Sequence, residues 1–155
     1  MKEPVELVAF VLDEQRFGLR LSVVERVVRA VEVTSLPSAP EIVLGAINLG
    51  GRVVPVVNIR KRFMFPEKEI GLDDHLIIAK TATRTVGLLV DSATALVEVS
   101  ANDITDASQI LPGMDYVDGV AKLEDGMILI HDLDKFLSLE EERALDAVMS
   151  QDEPD

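Results

Sequence analysis

An internal repeat restricts this fold more than any other feature of the chain. Moving the first half along by 74 positions sets Gly45-Ala46-Ile47-Asn48-Leu49 on Gly119-Val120-Ala121-Lys122-Leu123. The same shift sets Val53-Val54-Pro55-Val56 on Met127-Ile128-Leu129-Ile130 without a gap, and Asn58-Ile59 on Asp132-Leu133. A shift of 69 sets Phe17-Gly18-Leu19 on Val86-Gly87-Leu88, Leu7 on Leu76 and Val28 on Val97. Apolar strands align easily by chance, so the weight rests on the coincident glycines, Gly18 with Gly87 and Gly45 with Gly119. The repeat predicts two similar β-barrels of about five strands, each unit about 65 residues and marginal by itself. The two should share a hydrophobic interface, with exchange of strands between them an open option. The expected organisation is one domain over 1–155, with β subdomains at 5–68 and 74–137.

The local pattern fills in those barrels. Val5–Leu12, Phe17–Leu21, Leu44–Leu49, Arg52–Ile59, His75–Lys80, Thr85–Val90, Leu96–Val99, Val117–Leu123 and Met127–Leu133 read as strands, rich in branched residues. Ser22–Val31 reads as a short helical turn feeding a strand. Leu36-Pro37-Ser38-Ala39-Pro40 is a rigid connector. Gly50-Gly51 is the strongest hairpin signal, because glycine reaches positive φ freely. Pro55 cannot donate to a ladder, so a sheet edge or a bulge is expected there. Pro66–Asp74 is a linker candidate, and Ser100–Tyr116 a long polar connection. Ser138, with Glu141 three residues on, forms a capping box that opens a C-terminal helix over 138–150. Residues 151–155 should be a disordered tail.

Composition narrows the function classes. There is no cysteine, which removes disulfides, thiolate metal sites and cysteine nucleophiles. The formal net charge of −13 would repel phosphate backbones and argues against nucleic acid. Met1–Pro4 is short and polar, without the basic segment and following apolar region of a signal peptide, and no stretch is apolar enough to span a bilayer. A cytoplasmic protein without direct membrane insertion is therefore expected. Arg60-Lys61-Arg62 is the one basic cluster; it reads as a solvated strand end, or as a docking patch for an acidic partner.

The search for chemistry finds little. His131-Asp132 sits on a predicted strand, where neighbours face opposite ways, so the two cannot form a dyad by adjacency. Asp132 and Asp134 should share a strand face at an exposed edge. Asp73-Asp74-His75 reads as a solvated turn rather than a metal site. No nucleophile elbow, zinc-protease helix, P-loop or dinucleotide fingerprint occurs. No catalytic residue, metal or cofactor is nominated, and the expectation is a protein that is not an enzyme.

The order of the motifs is more informative. Phe17-Gly18-Leu19-x-Leu21 precedes Val24 and Val27. Leu36-Pro37-x-Ala39-Pro40, Gly45-x-Ile47-Asn48-Leu49-x-Gly51 and Val53-Val54-Pro55-Val56-Val57-Asn58-Ile59-Arg60 follow. Val86-Gly87-Leu88-Leu89-Val90-Asp91, Gly119-Val120-Ala121-Lys122-Leu123 and Met127-Ile128-Leu129-Ile130-x-Asp132-Leu133 complete the series. From Val5 to about Leu145 this series resembles the CheW family of chemotaxis coupling proteins. The resemblance implies a mainly β fold of two SH3-like five-stranded barrels packed side by side, with a C-terminal α-helix. It implies a non-catalytic adaptor in bacterial chemotaxis, joining the cytoplasmic tips of methyl-accepting chemoreceptors to the regulatory domain of the histidine kinase CheA. It also implies a stand-alone coupling protein, since no receiver or kinase segment is present. The alternative is an SH3-like interaction module of a divergent chemosensory or non-chemotactic assembly.

Carried over residue by residue, the resemblance places Val24, Val27, Gly45, Asn48 and Gly50 at or near a receptor groove. Two positions depart from the family. Its Asn-Leu-Arg-Gly turn is Asn48-Leu49-Gly50-Gly51 here, and the Glu it tends to carry before the position of Val27 is Arg26. Loss of both charges implies loss of a surface ion pair, so receptor binding should rest on apolar burial and vary little with salt. Plain core packing for Val24 and Val27, and a backbone role for Gly45, are the competing readings.

Overall fold

The computed structural model describes residues 4–29, 33–71, 73–106, 117–135 and 139–152. Strands dominate it. They are β1 (Pro4–Leu12), β2 (Gln15–Arg20), β3 (Val24–Arg29), β4 (Val43–Leu49), β5 (Arg52–Val57), β6 (His75–Lys80), β7 (Thr85–Val90), β8 (Ser92–Ser100), β9 (Ile104–Asp106), β10 (Val117–Leu123) and β11 (Gly126–His131). Among the described residues the helices are α1 (Ile59–Arg62) and α2 (Leu139–Asp152). A 3-10 turn at Leu21–Val23 feeds β3, as the Val-rich pattern predicts.

The strands form two sheets built to one plan. Barrel one runs β8-β1-β2-β11-β10-β9, and barrel two runs β3-β6-β7-β5-β4. Under the repeat, β6 and β7 correspond to β1 and β2, β8 to β3, and β10 and β11 to β4 and β5. Each sheet therefore follows the same order while drawing on both parts of the chain. The registers agree residue for residue. The parallel contact pairs Ile130 with Gly18 in barrel one and Val56 with Gly87 in barrel two. Bulges fall at equivalent places, skipping Leu44 and Asp118 in one strand pair and Glu25 and Thr94 in the other.

Both barrels close in the same way. β8 bends through a 3-10 turn at Ala101–Asp103 into β9, which pairs with β10. In barrel two the matching closure is a single bridge, in which Thr34 and Ala46 exchange backbone hydrogen bonds of 2.9 and 2.8 Å. β9 lies inside the stretch expected to be an irregular polar connection. Its Ile-Thr-Asp sequence is too short to signal a strand, and pairing with β10 creates it.

Three buried clusters hold the molecule together. One fills barrel one around Leu7, Val99, Ala121, Ile128 and Ile130. One fills barrel two around Ile47, Val54, Val56, Leu76 and Ile78. The largest lies between the barrels, built from Phe10, Leu12, Phe17 and Leu19 on one side and Val57, Ile77, Val86 and Leu88 on the other. Alternation along a central strand such as β6 sends Leu76 and Ile78 into barrel two and Ile77 and Ala79 into this shared core. The shared core is the interface that two marginal units require. Leu145 and Met149 of α2 pack on it, and Glu141 and Asp146 pair with Arg62 and Arg84. The capping residue Ser138 and the end of the tail, 153–155, lie outside the described residues, while α2 continues to Asp152.

Several local expectations are corrected. Pro55 sits in an interior strand, not at an edge. Ala46 directs its backbone groups to Thr34, so the facing Pro55 needs no bond to β4, and its missing donor points to the β7 side, where pairing begins only at Val56. Arg60-Lys61-Arg62 is neither a solvated strand end nor a free patch. β5 ends at Val57, the three residues form the α1 turn, and Arg60 is buried. Asp132 and Asp134 do not share a strand face either. β11 ends at His131, and the Asp132 carboxylate accepts from the Asp134 amide at 3.1 Å to start a 3-10 turn.

Candidate functional site

The groove candidates lie on barrel two. Val24 and Val27 on β3 are half-buried and pack against the edge of the inter-barrel core. They belong to the core and also border the surface, so the packing reading and the contact reading meet in the same side chains. Asn48 and Gly50 are exposed at the β4–β5 hairpin. The Asn48 side chain accepts from the Gly51 amide at 2.7 Å and so fixes the turn. Gly50 and Gly51 have φ of +61° and +89°, as a two-residue hairpin turn of mirror type demands.

Gly45 is different, because it is buried. It lies within β4 at the bulge, with φ of +155°, and a Cβ there would sit 2.2 Å from the Thr34 carbonyl oxygen. Its smallness lets the Thr34–Ala46 bridge close the barrel. Gly45 thus lies at a strand seam and not in the turn expected of it.

β3 and the hairpin meet through residues that the sequence did not single out. Glu25 is the residue skipped by the β3–β6 bulge. A bulge re-aims a side chain, and Glu25 accepts from Arg52 Nη2 at 2.8 Å. The pair is exposed, at 47% for Arg52 and 38% for Glu25. It borders an open pocket of about 290 Å³ lined by Ser22, Val23, Val24, Glu25, Arg52, Lys80 and Thr85. The loss of an ion pair expected from Arg26 and Gly50 thus does not leave this surface without one. A pair stands beside them, from Glu25 to Arg52. A separation of 27 residues and an unforeseen bulge kept it out of reach of sequence reasoning.

A second charged constellation joins the barrels. The Arg60 guanidinium meets Asp13 of the β1–β2 turn at 2.7 Å, and Asp91 between β7 and β8 at 2.7 Å. Lys68 reaches Asp74 at 3.1 Å and Asp91 at 3.4 Å. Burial opposes the Arg60 charge, yet the hydrogen bonds and charges of Asp91 and Asp13 hold its pKa above the ordinary arginine value. Burial likewise opposes the Asp91 charge, but Arg60, the Asp13 amide and Lys68 hold its carboxyl below the usual range. The Asp13 amide donates to Asp91 at 2.9 Å. These contacts hold Asp13 and Glu14 in a turn with φ of +48° and +68°, where glycine is usual.

His131 is buried against the Phe63 ring edge, 5.3 Å between centroids. Burial, with the Arg62 charge, pushes its pKa down to about 3. His75 opens β6 next to Asp74, whose carboxylate accepts from the Gly71 amide at 2.7 Å. Asp74 is thus engaged in the loop. No group of three or more His, Cys, Asp or Glu among the described residues could hold a metal. No described helix is long and apolar enough to cross a membrane.

Comparison with known proteins agrees with this architecture. The model of the CheW-like domain matches residues 6–141. The chemotaxis protein CheW of Rhizobium meliloti is 33% identical over 141 residues, covering 90% of this chain and 91% of the relative. That of Treponema pallidum is 27% identical over 145 residues, covering 90% and 85%. The crystal structure of the scaffolding protein TtCheW from Thermoanaerobacter tengcongensis superposes with a TM-score of 0.81 at 30% identity, covering 91% of this chain and 96% of that one. A family match over most of the sequence, on a double barrel of the same build, places the chain in the CheW family as a non-catalytic scaffold of bacterial chemotaxis.

Proposed function

We propose that this chain couples the cytoplasmic tips of methyl-accepting chemoreceptors to the regulatory domain of the histidine kinase CheA. The observation that carries the reading is the border of the inter-barrel core on β3. Val24 and Val27 pack there but stay half-buried, beside the pocket at Glu25 and Arg52. An apolar strip with a charged rim suits a helical partner laid along it. The receptor tip occupies this strip, with Asn48 and Gly50 of the hairpin at its margin. The kinase contact is barrel to barrel. Val53 and Met127, at equivalent positions on the two hairpins, are 48% and 55% exposed, which supports an apolar centre for such a contact. The protein acts in the cytoplasm and reaches the membrane only through its receptors.

Size-exclusion chromatography of this chain mixed with a CheA regulatory domain tests the kinase half of the proposal. Co-elution at tens of micromolar is expected, by analogy with weak transient interfaces. Two independent peaks at that concentration would defeat it.

A further inference from the structure

The pocket beside β3 carries positive charge in a strongly acidic chain. Arg52 and Lys80 line it, with Glu25 as the one acid. Lys80 has no ion-pair partner among the described residues, and neither do Arg26 and Arg29 on the adjoining strand. Most other cations of the molecule are engaged internally, as Arg60, Arg62 and Arg84 are. The formal net charge is −13, so this local excess runs against the field of the whole chain.

The repeat supplies an internal control. The bulge that skips Glu25 recurs in barrel one at Thr94, and the residue matching Arg52 is Gly126. Both barrels carry the bulge, but only barrel two places an acid and a base there. The ion pair is therefore not required by the architecture. An exposed pair of this kind is also easily exchanged for another.

We infer that the pocket receives a carboxylate of the docked receptor segment, with Arg52 leaving Glu25 to bind it and Lys80 as the second cation. The inference rests on the receptor-groove reading above. Glu25 holds Arg52 at the pocket wall in the free protein, where the guanidinium can offer a bidentate contact. Val23 and Val24 form the apolar side of the pocket, and a docked segment would exclude water there, making the new pair stronger than the old one. Binding then falls with salt, which reverses the expectation drawn from the missing family arginine at Gly50.

The test measures binding of a soluble cytoplasmic-tip fragment of a methyl-accepting chemoreceptor by fluorescence anisotropy, at low and high salt. Glu25→Gln should tighten binding about threefold to tenfold by freeing Arg52, and Arg52→Gln should weaken it by a similar factor. The double variant should match Arg52→Gln, and all differences should shrink at high salt. A Glu→Gln scan of the fragment should find one position at which the gain from Glu25→Gln disappears. Equal weakening by both single variants would overturn the exchange, since the intact pair would then be what the partner reads. The near-isosteric double variant Val24→Thr/Val27→Thr tests the groove itself. If it weakens binding while both charge variants bind as wild type, the groove stands and the carboxylate falls. If all four variants bind as wild type, the groove reading falls with it.

Discussion

The two barrels have one backbone plan and two different chemistries. Barrel one keeps Thr94 at its bulge, Gly126 after its hairpin and His131 where β11 ends. Barrel two has Glu25, Arg52 and Val57 at the matching places. Their strand order, bulges and parallel registers coincide, so these features belong to the architecture. The positions that differ are free of that demand; in barrel two Glu25 and Arg52 meet at one pocket, while Val57 is buried in the shared core. An internal repeat in this way separates what a fold needs from what one copy has acquired.

The closing seam is where the comparison breaks hardest. A Cβ on Gly45 would meet the Thr34 carbonyl oxygen at 2.2 Å, at a φ that side chains rarely adopt. A Cβ on Gly119 would lie 3.0 Å from the Ile104 side chain and 3.2 Å from the Thr105 carbonyl oxygen. Barrel two closes by a single bridge and barrel one by a short strand, so barrel two has less to lose before it opens. Gly45→Ala should cost about 3 kcal/mol or more, through strain and a lost bridge. Gly119→Ala should cost about 1–2 kcal/mol, through crowding alone. Urea unfolding of the two variants measures the gap; equal losses would mean that the seams are energetically alike.

His131 gives the next largest effect. Its folded pKa of about 3 lies below the unfolded value, so between pH 6.5 and 3 the unfolded chain binds the proton and the folded chain does not. Stability from this group is complete above pH 6.5 and declines as the pH falls through that window. The slope is about 1.4 kcal/mol per pH unit, or about 2 kcal/mol between pH 6.5 and 5. His131→Val installs the residue that barrel two carries at Val57. Carboxylates titrate in both proteins alike, so the difference between their stability profiles isolates the histidine. Parallel profiles for wild type and variant from pH 7 to 5 would refute the assignment.

What can be read from the sequence is what short segments encode. Branched runs announce most strands, Gly50-Gly51 announces its hairpin, and the glycines of the repeat announce two barrels. The exchange of strands stays open at that level, because no local pattern says whether β2 pairs onward with β5 or with β11. β9 escapes because three residues carry no period. The Arg60 cluster misleads because charge runs are usually solvated. Its burial depends on Asp91, 31 residues away, and on Asp13, in a turn of another barrel. The candidate site is half legible. Val24, Val27, Asn48 and Gly50 border the surface, Gly45 does not, and Glu25, Arg52 and Lys80 emerge only from tertiary contact.

The smallest effect concerns Gly50, in the turn where the two hairpins differ. The hairpin of barrel one turns through Glu124-Asp125, whereas that of barrel two turns through two glycines, both at positive φ. A Cβ on Gly50 would meet nothing within 4 Å, so a side chain there has room and only the backbone resists it. Gly50→Arg, which installs the residue expected there from the sequence resemblance, should cost about 1 kcal/mol from the left-handed conformation. Gly50→Asn should cost less, because asparagine tolerates that region. An arginine variant as stable as wild type would show that the turn relaxes out of positive φ. The combined variant Gly50→Arg/Arg26→Glu should stay folded while its receptor preference shifts. It adds an acid next to Glu25 in the chain and a base two residues before Arg52, and the added charges should compete for the same groups. If Arg52 is the cation that the receptor reads, Arg26→Glu should weaken binding and Gly50→Arg alone should strengthen it. Identical receptor profiles for wild type, Gly50→Arg and the combined variant would show that this hairpin takes no part in recognition, leaving β3 to act alone.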